Sequence, residues 1–191
     1  ALLKSAGLSV SAVDLSVEDF PADKAAQARL VAIAAPMHTA LRLGVEAARR
    51  VRAVNPQAHI TFFGLYAWLN GDYLLKANGG PALADAALAA VAEQRVVGVS
   101  PGPALADSVI AGEVEEPLVA LAQAITQGKS PVGIGGVTTP TRRATPHLAR
   151  LRLPVPERTE LPGLDLYAPY EIDGEVQLAG YVEASRGCLH T

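Results

Sequence analysis

The sequence predicts an α/β fold built on a parallel, doubly wound sheet. Two observations carry this. Short apolar runs, each closed by Gly or Pro, alternate with segments of helical period. The runs at residues 30–35 and 59–63 are also mostly apolar rather than strictly alternating, as in strands covered on both faces.

Residues 1–6 read as the last turns of a helix stopped by Gly7. Residues 9–17 alternate loosely and end near Asp14, which predicts a strand. Residues 21–28 form a short polar connection with room for a helical turn. Residues 30–35 predict a buried strand ended by Pro36. A helix follows from about Thr39 to Val54. Leu41, Gly44, Val45, Ala48 and Val51 fall on one of its faces, and Arg42, Glu46 and Arg50 line up on another. Asn55 and Pro56 stop it. Residues 59–63 predict the next strand, closed by Gly64, and residues 65–80 a loop or broken helix carrying Tyr66, Trp68, Asn70 and Tyr73. Residues 82–95 read as a helix and residues 108–111 as a short strand ending at Gly112. Residues 115–127 read as a helix with acids and Pro117 in its first turn and Gly128 beyond its end. From residue 129 to 165 the chain is rich in Pro, Thr, Arg and Gly and reads as an extended linker, its Gly133-Ile134-Gly135-Gly136 cluster a plain loop. Residues 170–178, with Asp173-Gly174 at the centre, predict a hairpin, and residues 181–184 a strand opening a further domain. The expected organisation is thus a first domain over 1–128, a linker over 129–169 and the start of a second domain over 170–191.

Composition narrows the function classes. Half of the 191 residues are apolar and 18% are charged, a globular balance. The net charge is -3, without a run of Lys or Arg, so the footprint of a nucleic-acid binder is missing. Arg49, Arg50 and Arg52, beside Glu46, read as a solvated helix face. No apolar run approaches the ~20 residues of a membrane span, no signal peptide is visible, and the single cysteine, Cys188, permits no internal disulfide. A cytoplasmic location is the expectation. The chain opens at Ala1 within a helical segment and reaches Thr191 without a stop signal, so a fragment truncated at both ends is expected.

The closing segment, Gly180-Tyr181-Val182-Glu183-Ala184-Ser185-Arg186-Gly187-Cys188-Leu189-His190-Thr191, resembles the start of the barrel of radical SAM enzymes. There a strand ends in an R-G-C turn whose cysteine opens a C-x-x-x-C-x-x-C motif. Pro156 to Leu164, with Tyr167, resembles the R-x-x-L-P connector that precedes such barrels. Asp107-Ser108-Val109-Ile110-Ala111-Gly112-Glu113-Val114-Glu115 resembles the D-x-V-x-x-G-E-x-E end of a cobalamin-binding domain. Pro36-Met37-His38-Thr39 and Phe63-Gly64-Leu65-Tyr66-Ala67 fall at the matching earlier loops. In this order the pieces resemble a cobalamin-dependent radical SAM protein over nearly the whole chain. Residues 63–70 are most similar to a subgroup with a Cys-Ala-Glu-Pro or selenocysteine-Ala-Glu-Pro tail. The D-x-H-x-x-G cobalt-ligand motif is not in the chain, and the stretch 75–106 is longer than the family's usual connection.

The resemblance implies a Rossmann-like cobalamin domain lacking its first strand, followed by a linker and the opening of a radical SAM barrel. It implies three cofactors: cobalamin, S-adenosylmethionine and a [4Fe–4S] cluster, with Cys188 as one cluster ligand because soft thiolates suit iron–sulfur clusters. The full-length enzyme would use radical chemistry on a small-molecule or peptide substrate, with methyl transfer to an unreactive carbon as one outcome. Ferredoxin or flavodoxin would be its electron donor, and this stretch alone is expected to be inactive.

In open α/β sheets ligands bind beyond the carboxyl ends of the strands. The candidate corrin contacts are therefore Met37, His38, Thr39, Gly64, Leu65, Tyr66, Gly112, Glu113 and Glu115. Each has a plainer reading beside it. His38 suits ordinary hydrogen bonding at a helix start, and Thr39 suits a helix N-cap. Gly64 and Gly112 suit strand ends or the close approach of a planar ring. Glu113 and Glu115 suit the dipole of the following helix. Trp68 and Tyr73 read as packing residues, and His59, His147 and His190 show no metal-ligand spacing. The alternative function is a non-catalytic Rossmann-like module that binds a nucleotide or a corrinoid; a structural interaction domain is a third reading. For a nicotinamide nucleotide, Asp14 would be the ribose-binding acid.

Overall fold

The computed structural model describes residues 1–76, 104–150 and 154–177. The expected helix at 82–95, the strand at 181–184, Cys188 and His190 lie outside the described residues. The chain divides into two units, one of Ala1–Ser11 with Phe20–Glu157 and the other of Ala12–Asp19 with Arg158–Thr191.

The first unit is a mixed α/β fold on a four-stranded, mostly parallel sheet. Its elements are α1 (Leu2–Ser5), α2 (Ala22–Gln27), β1 (Leu30–Ala34), α3 (His38–Val54), β2 (His59–Phe63), α4 (Leu65–Leu69), α5 (Gly71–Leu75), β3 (Ser108–Ile110), α6 (Glu115–Thr126) and β4 (Val137–Thr138). The sheet order is β1-β2-β3-β4. The first three strands are parallel, with Ala32 opposite Thr61 and Phe62 opposite Val109, and β4 runs antiparallel to β3.

Both faces of the sheet carry apolar cores at β2 and β3, whereas β1, expected to be covered on both faces, is the edge strand of the described sheet and leaves Ala32 and Ala34 exposed. On one face Ile60, Phe62 and Val109 pack with Leu41, Val45, Ala48 and Val51 of α3 and with Leu74 of α5. Burying a side chain such as Phe62 stabilises by about 1.5–3 kcal/mol. Gly44 lets α3 come close, since a Cβ there would stand 2.8 Å from Ile33 Cγ2 and 2.9 Å from Phe62 Cε1. On the other face Ile110 and Val137 pack with Leu121, Leu118 and Ile125 of α6. The predicted apolar face of α3, Leu41, Gly44, Val45, Ala48 and Val51, is the buried one. The broken helix expected from residue 65 is α4 and α5, interrupted at buried Asn70, whose Nδ2 donates to the Tyr66 carbonyl at 2.8 Å.

Two expectations are corrected. Residues 9–17 form no strand. Alternation alone provides no ladder partner, and Asp14 turns the chain instead, accepting the Ser16 N–H at 3.0 Å and its hydroxyl at 2.6 Å. The stretch read as a linker from residue 129 holds β4, which joins the sheet because Val137 is apolar and pairs with Ile110.

The second unit contains a hairpin, β5 (Tyr170–Ile172) and β6 (Glu175–Gln177), with Glu171 opposite Val176. Asp173 and Gly174 turn it at φ 53° and 81°, as the Asp-Gly pair predicts. In the same unit the Tyr167 hydroxyl donates to Asp14 Oδ2 at 2.8 Å. The Ser16 bonds hold the Asp14 carboxyl below its usual range, and the bond to Asp14 pushes the Tyr167 phenol up.

Candidate functional site

Parallel pairing brings the turns after β1, β2 and β3 to one edge of the sheet. Met37 is the N-cap of α3 and His38 its first residue. Thr39 is therefore already inside the helix, and the N-cap expected of it falls to Met37, because the helix begins almost directly after Pro36. The His38 ring meets Tyr66 edge-on, with centroids 6.3 Å apart. Tyr66 is held there by its backbone N–H, which donates to the Ala35 carbonyl at 3.1 Å. The first two loops thus form one bonded ledge. Met37 and Leu65 stand out from it, 59% and 61% exposed.

Gly64 makes the ledge possible. Its φ is 99°, and a Cβ would lie 2.9 Å from the Ala35 carbonyl carbon. The space a side chain would need is filled by the neighbouring loop rather than kept for a ring.

The third loop is arranged differently. Residues 139–142 turn the chain after β4, with the Thr139 N–H donating to the Arg142 carbonyl at 2.9 Å, and the chain returns to β3 at His147. The His147 N–H donates to the Ala111 carbonyl at 2.9 Å, and its carbonyl accepts the Glu113 N–H at 2.7 Å. Its ring nitrogen Nε2 lies 3.0 Å from Glu116 Oε2. A Cβ on Gly112 would meet the His147 backbone, and one on Gly136 would lie 2.9 Å from His147 Cβ. Gly112 is therefore explained by the approach of the chain's own backbone. Glu113 lies under this crossing segment, and Glu115 opens α6, with Glu116 beside it in the first turn. Local patterns carried no sign of His147, because its partners lie far away in sequence.

The amino edge of the sheet holds a polar network that sequence reasoning also missed. Asp107 Oδ2 accepts from Arg52 at 2.5 Å and from the Ile60 N–H at 2.7 Å. Arg52 also donates to the Ala58 carbonyl at 2.6 Å. His59 Nε2 lies 2.8 Å from the Ser108 hydroxyl, which donates to Thr61 Oγ1 at 2.9 Å. Burial pushes the His59 pKa down, against the pull of the Asp107 charge. Arg52, His59 and Asp107 border an open groove of about 800 Å³ that also includes Arg29, Asn55 and Thr139. The cations and amides at the groove largely serve carbonyls at chain ends. Arg29 donates to the Thr126 carbonyl at the end of α6, and Asn55 to three carbonyls around the end of α2. Ser108 is fully buried, so the His59–Ser108 pair offers no accessible nucleophile.

Among the described residues no group of three or more His, Cys, Asp or Glu side chains could hold a metal ion, and no helix is long and apolar enough to cross a membrane. No protein-family model, no curated protein and no solved structure matches the chain.

Proposed function

We propose that this chain is the cobalamin-binding part of a cobalamin-dependent radical SAM enzyme, followed by the first residues of its radical SAM barrel. The observation that carries the reading is the convergence of the three candidate loops on the carboxyl edge, with Met37 and Leu65 exposed beside the His38–Tyr66 ring pair. An apolar ledge with two aromatic rings suits the broad face of a corrin, and main-chain polar groups at its margin suit the amide substituents. Fit is best at the first two loops. Met37, His38, Leu65 and Tyr66 would hold the ring there, whereas the third loop is occupied by His147. The finer fold type, a cobalamin-binding Rossmann-like domain, belongs to this proposal.

Cobalamin and S-adenosylmethionine with its cluster would supply one-carbon transfer and radical initiation. The ledge would bind and orient the corrin, and Cys188 would give one thiolate to the cluster. Substrate contacts would come largely from the barrel.

Two measurements test the reading. Hydroxocobalamin titrated into the protein should change its visible spectrum and stay bound through desalting; a spectrum identical to free ligand and complete loss on desalting would remove the corrinoid assignment. The gene should encode cysteine directly after Thr191 and another three positions later. If it continues without them, the radical SAM assignment fails.

A further inference from the structure

We infer that residues 144–150 form a removable strap that competes with ligand at the carboxyl end of β3. The inference rests on the corrinoid reading above and adds a means of regulating that site.

The strap is fastened at two points. At its start the Ala144 N–H donates to Thr138 Oγ1 at 3.0 Å, and beyond it His147 makes two main-chain hydrogen bonds to the loop after β3 and a ring contact to Glu116. Thr145, Pro146, Leu148, Ala149 and Arg150 around it are exposed, with Leu148 82% exposed. Such an attachment opens locally without disturbing the core, because little apolar surface leaves its packing when it lifts. The seat is nonetheless specific. Gly112 and Gly136, both at positive φ, would each drive a Cβ into His147. A chance crossing would not need glycine on both sides.

What the strap covers decides its role. The Ala111 carbonyl and the Glu113 N–H are the main-chain acceptor and donor that the third loop presents, and His147 uses both. A ligand that spans all three loops has to take these groups with its own polar margin. It can do so only when His147 leaves, so strap and ligand exclude each other at β3. Over the first two loops the corresponding bond runs between the loops themselves, from Tyr66 to Ala35, and does not hinder a ligand.

The test uses the full chain, hydroxocobalamin as the probe, and trypsin, which can cut after Arg142, Arg143 and Arg150. His147→Pro removes the N–H that bonds Ala111. Glu116→Gln leaves the main chain intact and weakens the ring contact, so it serves if the proline variant folds poorly. His147→Pro should bind hydroxocobalamin about tenfold more tightly, the equivalent of one lost competing hydrogen bond, and Glu116→Gln should shift affinity the same way by a smaller factor. Saturating hydroxocobalamin should speed tryptic cutting at the strap in the unaltered chain. Equal affinity in all three chains, or slower cutting with ligand bound, overturns the strap while leaving the site reading in place. Absence of binding in all three overturns both.

Discussion

The two edges of the sheet are built from the same strands and behave as opposites. At the amino edge most polar groups are paired, Arg52 with Asp107, His59 with Ser108, Ser108 with Thr61, and Arg29 and Asn55 with carbonyls at helix ends, while the buried Arg52 Nε has no hydrogen-bond partner. At the carboxyl edge the ledge leaves Met37 and Leu65 in water, and the loop after β3 takes its partners from a segment thirty-odd residues further along the chain. The polarity of a parallel sheet explains the contrast. Helix carboxyl ends gather at the amino edge and need donors for their last carbonyls. Helix amino ends gather at the carboxyl edge and leave donors for a ligand. One edge is given over to internal pairing; the other leaves its first two loops exposed while His147 covers the third.

This contrast is most directly broken at Asp107. Asp107→Ala leaves the Arg52 guanidinium, 14% exposed, without its carboxylate and strips the acceptor from the Ile60 N–H. A loss of about 2–3 kcal/mol is expected in urea denaturation. A loss below about 0.5 kcal/mol would show that the amino edge is not a stabilising network. Gly64→Ala tests whether the ledge is a packing solution. It forces a side chain onto φ 99° and against Ala35, and a cost of about 1–3 kcal/mol is expected by the same measurement. Unchanged stability would mean the ledge yields easily and that its glycine has another purpose.

A smaller effect is expected from His59. Its folded pKa lies below the ordinary 6.5, so the unfolded chain takes up the proton more readily. The corresponding stability is fully present above pH 6.5 and is lost as pH falls below it. Thermal denaturation between pH 7 and 5 should therefore fall more steeply for the unaltered chain than for His59→Gln. Parallel curves would sink this reading of the histidine. The smallest change in stability, within about 0.5 kcal/mol, is expected for the pair Met37→Ser and Leu65→Ser, because both side chains are already mostly in water. The same double variant should lose hydroxocobalamin on desalting. Retention equal to the unaltered chain would separate the ledge from ligand binding.

Much of the described fold was legible because its signals are local. The period of Leu41, Val45, Ala48 and Val51 marks the buried face of α3, the apolar run at 59–63 marks β2, and Asp173-Gly174 marks the hairpin turn. The loops at the carboxyl edge follow from parallel topology, so their convergence was legible as well. Residues 9–17 show where such signals stop. Their alternation permits a strand, but a strand exists only when another offers a ladder, and Asp14 finds closer partners in Ser16. β4 is the converse case: two residues without a pattern become a strand because Ile110 lies beside Val137.

The sequence by itself determined α1, α3 and α6, the three parallel strands and the edge at which a ligand would be sought, since hydrophobic periodicity and Gly or Pro punctuation act between near neighbours. Only the tertiary structure decided that Gly64 and Gly112 make room for backbone, that His147 crosses the loop after β3, and that His59 belongs to a closed polar network. The physical reason is that hydrogen-bond partners and excluded volume are set by whichever residues the fold brings together, and Gly112 with His147, or His59 with Ser108, share no signal along the chain.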